Sequence, residues 1–396
     1  MKKFKKHVAC VFIICYVSYM IVYIARLNLS MAISALSEHN ILTKTQSGLM
    51  GTVFFCVFAV GRLLNGVLGD HVRPERFVTA GLVIVSASQL CLGTLPPPWC
   101  MTLLWGTNAF GQSMLWGALL KIMKTTYSER DAEKKTSLLV TSTTAGSVAG
   151  IVLAMYTIDK LSISFAFYLP GILALVTCVA VRYGIRSPDQ IKSSESPGYF
   201  PVHLLSNRNM WRILGPTVLH GIIKDNLSLW MAVYFIDRFG IDLSGTTVFI
   251  FAIPLTGLLG RLAYMPIFKA CSENLYRTTG LAFLLCGGVS LILSVRGIPP
   301  VLSAVCLSLL SASIMMVNTS ILSIFPMRFA QLDQVSGVSG ILDFFTYLGA
   351  GIGSFIYGAV IPLCGYEAMY ASWAILCIAS IILINIAEKR SSLWEK

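Results

Sequence analysis

Two short stretches, 198 positions apart, decide the fold of this chain: Arg26-Leu27-Asn28-Leu29-Ser30 and Lys224-Asp225-Asn226-Leu227-Ser228. Each lies in a long apolar run, where a basic side chain is rare if the run crosses a bilayer. A second pair, Gly61-Arg62-Leu63 and Gly260-Arg261-Leu262, matches at an offset of 199. Because half of the 396 residues is 198, the chain divides into two related halves. Chance similarity is the weaker alternative, since the matches fall on charged residues.

The composition is that of a membrane protein. Hydrophobic residues make up 56% of the chain and charged residues 12%, whereas soluble domains are typically about 25% charged. The mean hydropathy is +0.75. A water-soluble enzyme is therefore excluded.

Apolar runs broken by charged, Pro or Gly residues predict twelve spanning helices. They lie near residues 8–36, 46–69, 77–95, 99–123, 136–158, 162–183, 211–236, 245–268, 278–295, 299–326, 336–362 and 368–387. The predicted fold is an all-α membrane protein with two six-helix bundles, 1–185 and 209–396, related by a pseudo-two-fold axis. A Ser-, Pro- and charge-rich cytoplasmic linker, 186–208, joins them. In transporters built from parallel repeats, the substrate site lies between the bundles near the midplane.

The net charge of +12 follows the positive-inside rule when both termini are cytoplasmic. Of the 30 Lys and Arg, 21 then lie on the cytoplasmic side. Four lie outside: Lys44, Lys160, Arg238 and Arg296. We predict a multi-pass plasma-membrane protein, a monomer with no nucleic-acid partner. A specific anionic-lipid site is the alternative explanation of the basic excess.

The remaining five basic residues lie within spans: Arg26, Arg62, Lys121, Lys224 and Arg261. Only two acidic residues, Asp225 and Asp343, accompany them. This excess of positive charge within the spans repels a cation and attracts a phosphate or carboxylate. We therefore predict that Arg26 and Lys224 hold one small anion from both sides, with Arg62 as auxiliary charge.

Helical spacing predicts further residues along the anion path. One face of the first span carries Tyr16, Tyr19, Tyr23, Arg26 and Ser30, and one face of the seventh carries Thr217, His220, Lys224 and Ser228. Asn108 and Gln112 share a face of the fourth span, and Asp343 and Tyr347 share one of the eleventh. We assign Tyr23, Asn108, Gln112 and Tyr347 to substrate binding.

Three titratable groups are candidates for coupling: Asp343, Asp225 and His220. Three roles remain open for Asp343: an ion pair with Lys224, proton uptake during transport, or a counter-ion to Arg26. No metal, cofactor or catalytic motif is predicted. The cysteines are scattered, and a Cys100–Cys364 bridge is a minor alternative.

The loop from Gly66 through Asp70 to Arg73 and Arg76 resembles the signature of the major facilitator superfamily, in which these residues latch the cytoplasmic gate. The stretch from Tyr23 to Asn28 is similar to the first helix of the organophosphate:phosphate antiporter family, which carries a phosphate-binding arginine.

Two further motifs resemble the same antiporter family. Trp105, Gly106, Asn108, Gln112 and Ser113 are similar to its fourth helix. Lys224 with Trp230 resembles the seventh-helix site, although the family usually places an Arg there.

The resemblance implies alternating-access exchange of an organic anion, an organophosphate or a carboxylate, for phosphate. The alternatives are a proton-coupled anion symporter and a non-transporting membrane sensor of sugar phosphate. Export of apolar drugs is disfavoured by the positive path.

Overall fold

A computed structural model describes residues 2–185, 208–241, 247–328 and 335–388. These residues form helices and short connections, without a strand, so the all-α prediction is confirmed. The helices are α1 Lys2–Glu38, α2 Lys44–His71, α3 Pro74–Gly93, α4 Pro98–Ser113, α5 Leu115–Thr126, α6 Glu129–Lys160, α7 Phe165–Gly184, α8 Arg208–Phe239, α9 Thr247–Ala270, α10 Leu275–Leu293, α11 Pro300–Thr319, α12 Phe325–Met327 and α13 Val335–Glu388. Most of the predicted linker lies outside the described residues.

Nine helical segments of the described chain are long and apolar enough to cross a membrane. One of them, Gly337–Glu388, covers the predicted eleventh and twelfth spans, and Gly365 breaks its helical backbone with a φ of +76°. Two predicted spans are not among the nine. The fourth is divided into α4 and α5 at Met114, and the seventh is the charged, 32-residue α8.

The ends of the helices follow local sequence signals. Proline occupies the first turn of α3, α4 and α11, where its missing N–H is not needed. Asn274 caps α10, since its Oδ1 accepts from the backbone N–H groups of Tyr276 and Arg277. A π-helical turn, Ser320–Ile324, precedes Pro326, which has no backbone N–H to donate and whose ring disfavours a regular α-helical turn before it.

The chain forms two compact units. The first comprises Met1–Thr43 and Val53–Gly198, and the second comprises Lys44–Thr52 and Tyr199–Lys396. Helix α2 thus contributes to both. Within the first unit α1 packs on α6, and α3 packs on α4 and α7. Within the second, α8 packs on α13, and α10 packs on α11 and α13. Helices at corresponding positions of the two units thus pack on each other in the same way, which agrees with the repeat in the sequence.

The start of α2 is joined to the rest of the second unit by small residues. Gly48 lies so close to Gly358 that a Cβ built on it would be 2.6 Å from the Gly358 Cα. The Thr52 hydroxyl donates to the Gly351 carbonyl at 3.0 Å, and Lys44 forms an ion pair with Asp237. Backbone-directed hydrogen bonds are suited to holding helices together where water is absent.

Candidate functional site

In the first unit, the Arg26 guanidinium is surrounded by an amide and three aromatic rings. Its Nε donates to Gln112 Oε1 at 3.1 Å. Its Cζ lies 5.0 Å from the ring centroid of Tyr23, 5.2 Å from that of Phe54 and 4.5 Å from that of Phe58. Cation–π contacts gain strength where water is scarce, so this pocket stabilises Arg26 as a cation inside a spanning helix.

A buried amide network fixes the orientation of Gln112. The Ala25 carbonyl accepts from Gln89 Nε2 at 2.7 Å, from Asn108 Nδ2 at 3.2 Å and from Gln112 Nε2 at 3.2 Å. The same Gln112 nitrogen donates to Asn108 Oδ1 at 3.3 Å. Because the Gln112 NH₂ group donates to the Ala25 carbonyl and to Asn108 Oδ1, the side-chain carbonyl oxygen of Gln112 faces Arg26. The network therefore presents an acceptor to the guanidinium.

Arg62 lies near the same aromatic group. Its Cζ is 6.0 Å from the Phe58 ring centroid, so one ring contacts two cations. Further along α1, Tyr19 contacts Tyr23 and Trp116, with centroid separations of 5.6 and 4.8 Å. The predicted aromatic face of α1 is therefore continuous with the Arg26 pocket.

Helix α1 can approach α6 closely because two glycines lie between them. A Cβ on Gly146 would collide with the Met20 carbonyl oxygen, and one on Gly150 would be 2.9 Å from the Ile24 Cα. On another side of α1, Asn28 Nδ2 donates to Gln89 Oε1 at 2.9 Å and to the Ala166 carbonyl at 3.0 Å. The two glycine contacts set the distance between α1 and α6, and the Asn28 hydrogen bonds join α1 to α3 and α7.

In the second unit, Lys224 Nζ lies 3.1 Å from Asp225 Oδ2 and 5.1 Å from the Tyr347 ring centroid. The two charged side chains are 12% and 16% exposed. Asp343, one turn before Tyr347 on α13, is half-buried. His220, one turn before Lys224 on α8, is fully buried. The predicted residues of this half are thus on two packed helices, and a carboxylate next to the ammonium is that of Asp225.

Close glycine contacts also position α8. A Cβ on Gly221 would collide with the Thr346 carbonyl oxygen, and one on Gly349 would collide with that of Val218. Asn226 Nδ2 donates to the Ala350 carbonyl at 3.1 Å. The repeat-related Asn28 and Asn226 thus both donate to a backbone carbonyl of a neighbouring helix, which explains why a buried Asn follows each basic residue.

The predicted gate residues lie at the end of α2, at the start of α3 and in the turn between them. Gly66 and Arg76 are exposed, and Arg73 is half-buried at the start of α3. The Asp70 side chain lies outside the described part of the structure. Lys121 Nζ donates to the Gly69 carbonyl at 2.7 Å, near the end of α2. A lysine at a helix C-terminus is favourably placed for the helix dipole.

Sequence reasoning missed Phe54, Phe58 and Gln89. The two phenylalanines precede Arg62 at intervals of four, which places all three on one face of α2. Gln89 is an uncharged polar residue in an apolar span, and a search of the spans for buried amides would have found it. Cys100 and Cys364 are both free thiols. Among the described residues, no group of three or more His, Cys, Asp or Glu is arranged to hold a metal ion.

A family model described as Major Facilitator Superfamily matches residues 15–354. The chain is 24% identical over 175 residues to the "Probable hexose phosphate transport protein" of Chlamydia muridarum, covering 44% of this chain and 38% of that protein. It therefore spans less than two fifths of that relative's length.

Two other relatives match over longer regions. The "Phosphoglycerate transporter protein" of Salmonella typhimurium is 20% identical over 390 residues, covering 89% of this chain and 82% of that protein. The "Membrane sensor protein UhpC" of Escherichia coli is 20% identical over 272 residues, covering 62% of this chain and 61% of that protein.

Solved structures share the fold. A point mutant of the nucleoside transporter NupG superimposes with a TM-score of 0.81 at 11% identity over 96% of this chain and 99% of that one. A bacterial homolog to the human lysosomal transporter Spinster, inward-facing and unoccupied, gives a TM-score of 0.77 at 12% identity over 96% and 95%.

Proposed function

The chain belongs to the Major Facilitator Superfamily, and on this basis we propose that it is a secondary transporter of a small organic anion that works by alternating access. The substrate is an organophosphate or a carboxylate, and inorganic phosphate is the exchanged anion. The chain is a multi-pass membrane protein. We further propose that it lies in the plasma membrane with both termini cytoplasmic and that it is not an enzyme.

The observation that carries this proposal is the pair of repeat-related cations, Arg26 and Lys224. A Lys or Arg at the centre of a spanning helix costs about 2.5–3.5 kcal/mol on insertion scales. Each of the two is nevertheless supported by aromatic rings, those around Arg26 and that of Tyr347 next to Lys224. A site that keeps cations charged within the membrane is suited to binding an anion.

Separate roles follow for the surrounding residues. Arg26 and Lys224 bind the anionic group, and Arg62 adds positive charge. Tyr23 and Tyr347 line the path, and Asn108 and Gln112 hold Arg26 in place. Relatives named for hexose phosphate and phosphoglycerate transport support an organophosphate as the substrate class.

Exchange in proteoliposomes tests this function. Vesicles with the purified protein are loaded with radiolabelled phosphate, and glucose 6-phosphate, 3-phosphoglycerate or a dicarboxylate is added outside. We expect at least one of these anions to release the label, and we expect Arg26→Gln to abolish the release. Exchange that persists in Arg26→Gln, or efflux driven by an organic cation, would contradict the proposal.

Two alternatives rest on specific observations. Asp343, Asp225 and His220 are titratable groups near Lys224 or Tyr347 and favour proton symport, which predicts uptake driven by an inward proton gradient. The similarity to a protein named as a membrane sensor favours a receptor. A receptor binds glucose 6-phosphate without any flux in the same vesicles.

A further inference from the structure

Arg261 is a basic residue within a spanning helix to which the proposed function assigns no role. It is half-buried on α9, and its Nη2 donates to Met315 Sδ of α11 at 3.5 Å. Among the described residues this is its one hydrogen bond, and the guanidinium forms no ion pair and contacts no aromatic ring there. A thioether sulfur is a weak acceptor. Most N–H groups of this guanidinium are therefore unsatisfied where an unpaired cation is costly.

The guanidinium of Arg261 points toward the middle of its own helix. A Cβ built on Gly257, one turn earlier on α9, would be 3.2 Å from Met315 Cγ. The sulfur that Arg261 contacts is bonded to that carbon and so lies near the turn of Gly257, close to the centre of the span Phe249–Ala270. A basic side chain that snorkels points to the nearer helix end, here the C-terminal one. Arg261 is thus held inside the span.

The surroundings of Arg261 are neither lipid nor acidic. The exposed residues Leu255, Leu259 and Leu262 form one stripe along α9, which is typical of a lipid-facing surface, and Arg261 lies at least about 100° away from it. Helices α10 and α11 both pack on α9, and none of the three helices contains an Asp or Glu. An anion at Arg261 therefore meets no competing carboxylate from these helices.

The corresponding place in the first unit is built differently. Arg62 corresponds to Arg261 in the repeat, and Phe58, whose ring contacts Arg62, corresponds to Gly257 at the same offset. In the second unit the side chain of Met315 lies next to Gly257 and contacts the cation instead. Methionine is unbranched and flexible, so it can leave Arg261 at little cost. The second unit thus has a displaceable contact where the first has an aromatic ring.

Arg261 and Lys224 lie on helices that contact the same turn of α11. Within the second unit, α11 packs on α8, which carries Lys224, and on α9, which carries Arg261. The backbone of Ile314 lies next to the ring of His220, one turn before Lys224. The following residue, Met315, contacts Arg261. One packed unit therefore presents two cations on either side of one turn.

We propose that Arg261 binds a second anionic group of the substrate and so selects organic anions with two negatively charged groups, such as a phosphate and a carboxylate, over those with one. This inference rests on the proposed function, in which Arg26 and Lys224 bind the first group. The planar guanidinium donates paired hydrogen bonds to a carboxylate or phosphate. The second group displaces Met315 Sδ and supplies the acceptors that Arg261 does not find in the sulfur.

Two pairs of ligands that differ by one carboxylate test the proposal. The first pair is 3-phosphoglycerate and glycerol 3-phosphate, and the second is succinate and butyrate. Affinities are measured by titration calorimetry in detergent for the wild type, Arg261→Gln and Lys269→Gln. Lys269 is an exposed basic residue of the same helix, so Lys269→Gln removes the same charge and is the matched control.

In at least one pair, the wild type and Lys269→Gln are expected to bind the ligand with two anionic groups about tenfold more tightly than its partner. Arg261→Gln loses this preference, because it weakens binding of that ligand about tenfold and leaves the affinity for its partner unchanged. The proposal is overturned if the wild type has no preference in either pair, if Arg261→Gln keeps the preference, or if it weakens both ligands of a pair equally.

The unfolding temperature separates a binding role of Arg261 from a structural one. Because a cation in a span is costly, Arg261→Gln is expected to unfold at the wild-type temperature or above. A lower temperature, with equal weakening of both ligands, shows that Arg261 supports the fold and overturns the proposal. If the purified protein keeps the preference that depends on Arg261 but exchanges no anion in vesicles, the proposed transport function is refuted and the role of Arg261 in binding stands.

Discussion

Replacing Gln112 by leucine tests whether the amide network positions Arg26. Leucine is similar in size but removes the acceptor that faces Arg26 Nε and both donor contacts of the Gln112 NH₂ group. The Ala25 carbonyl keeps two side-chain donors, from Gln89 and Asn108. Arg26 loses the hydrogen bond that its Nε donates to Gln112 Oε1 and that directs the guanidinium.

The magnitudes follow from these contacts. The Asn108 Oδ1 atom loses the Gln112 donor, and an unsatisfied buried polar atom costs about 1–3 kcal/mol. Misorientation of Arg26 is expected to weaken phosphate binding about tenfold, which is about 1.4 kcal/mol. The KM for phosphate exchange therefore rises about tenfold, while the maximal rate falls much less.

Gln89→Leu is the matched control. Gln89 is equally buried, and its two side-chain hydrogen bonds, to the Ala25 carbonyl and from Asn28, do not touch Arg26. A side-chain hydrogen bond contributes about 0.6 kcal/mol in a membrane protein. The Gln89→Leu variant is therefore expected to lose about 1 kcal/mol of unfolding free energy and to keep the wild-type KM for phosphate exchange. Phosphate exchange in proteoliposomes gives KM, and thermal unfolding in detergent gives stability. An unchanged KM in Gln112→Leu, or an equal rise in Gln89→Leu, would refute the reasoning.

Three further predictions concern packing, charge and topology. Gly349→Ala places a methyl group against the Val218 carbonyl and is expected to lower the thermal unfolding temperature. Gly340→Ala, on the same helix, meets open space and is expected to raise this temperature slightly. The opposite order of unfolding temperatures would contradict the α8–α13 packing. Lys44→Gln breaks the ion pair with the partly exposed Asp237, which keeps its 2.7 Å hydrogen bond from Tyr366. The loss of unfolding free energy, measured by chemical denaturation, is expected to be about 1 kcal/mol or less. A loss several times larger would show that this pair is more than a surface contact. An epitope tag at either terminus is expected to stay protected from external protease in intact cells, because cytoplasmic termini would place 21 of the 30 basic residues on the cytoplasmic side, as the positive-inside rule requires. Cleavage of either tag would contradict the orientation.

The hydrophobic pattern predicted the spans well because length and apolar content are imposed by the bilayer. The breaks within spans were not predicted. The fourth span divides at Met114, and α11 passes into a π-helical turn at Ser320. Such breaks depend on which backbone groups a neighbouring helix can satisfy, and hydropathy contains no information on that.

The candidate site was predictable in part. Rare charges in spans singled out Arg26 and Lys224, and helical spacing put Tyr23 on the same face as Arg26. Tyr347 was singled out because it shares a face with Asp343, and its contact with Lys224 comes from the packing of α13 on α8. The rings of Phe54 and Phe58 were missed because phenylalanine is ordinary in an apolar helix, and its contact with Arg26 comes from tertiary packing. Asp225 was identified as a coupling candidate, but its contact with Lys224 depends on side-chain rotamers that spacing does not specify.

We propose that Arg26 and Lys224 act on the same anion during transport. The most direct test is phosphate exchange by Arg26→Gln, Lys224→Gln and the double variant, with correctly folded protein verified by its unfolding temperature. If both residues act on the same anion, each single variant loses nearly all exchange, and the double variant loses little more. Losses that simply multiply, or a single variant with exchange close to that of the wild type, would contradict a shared anion site.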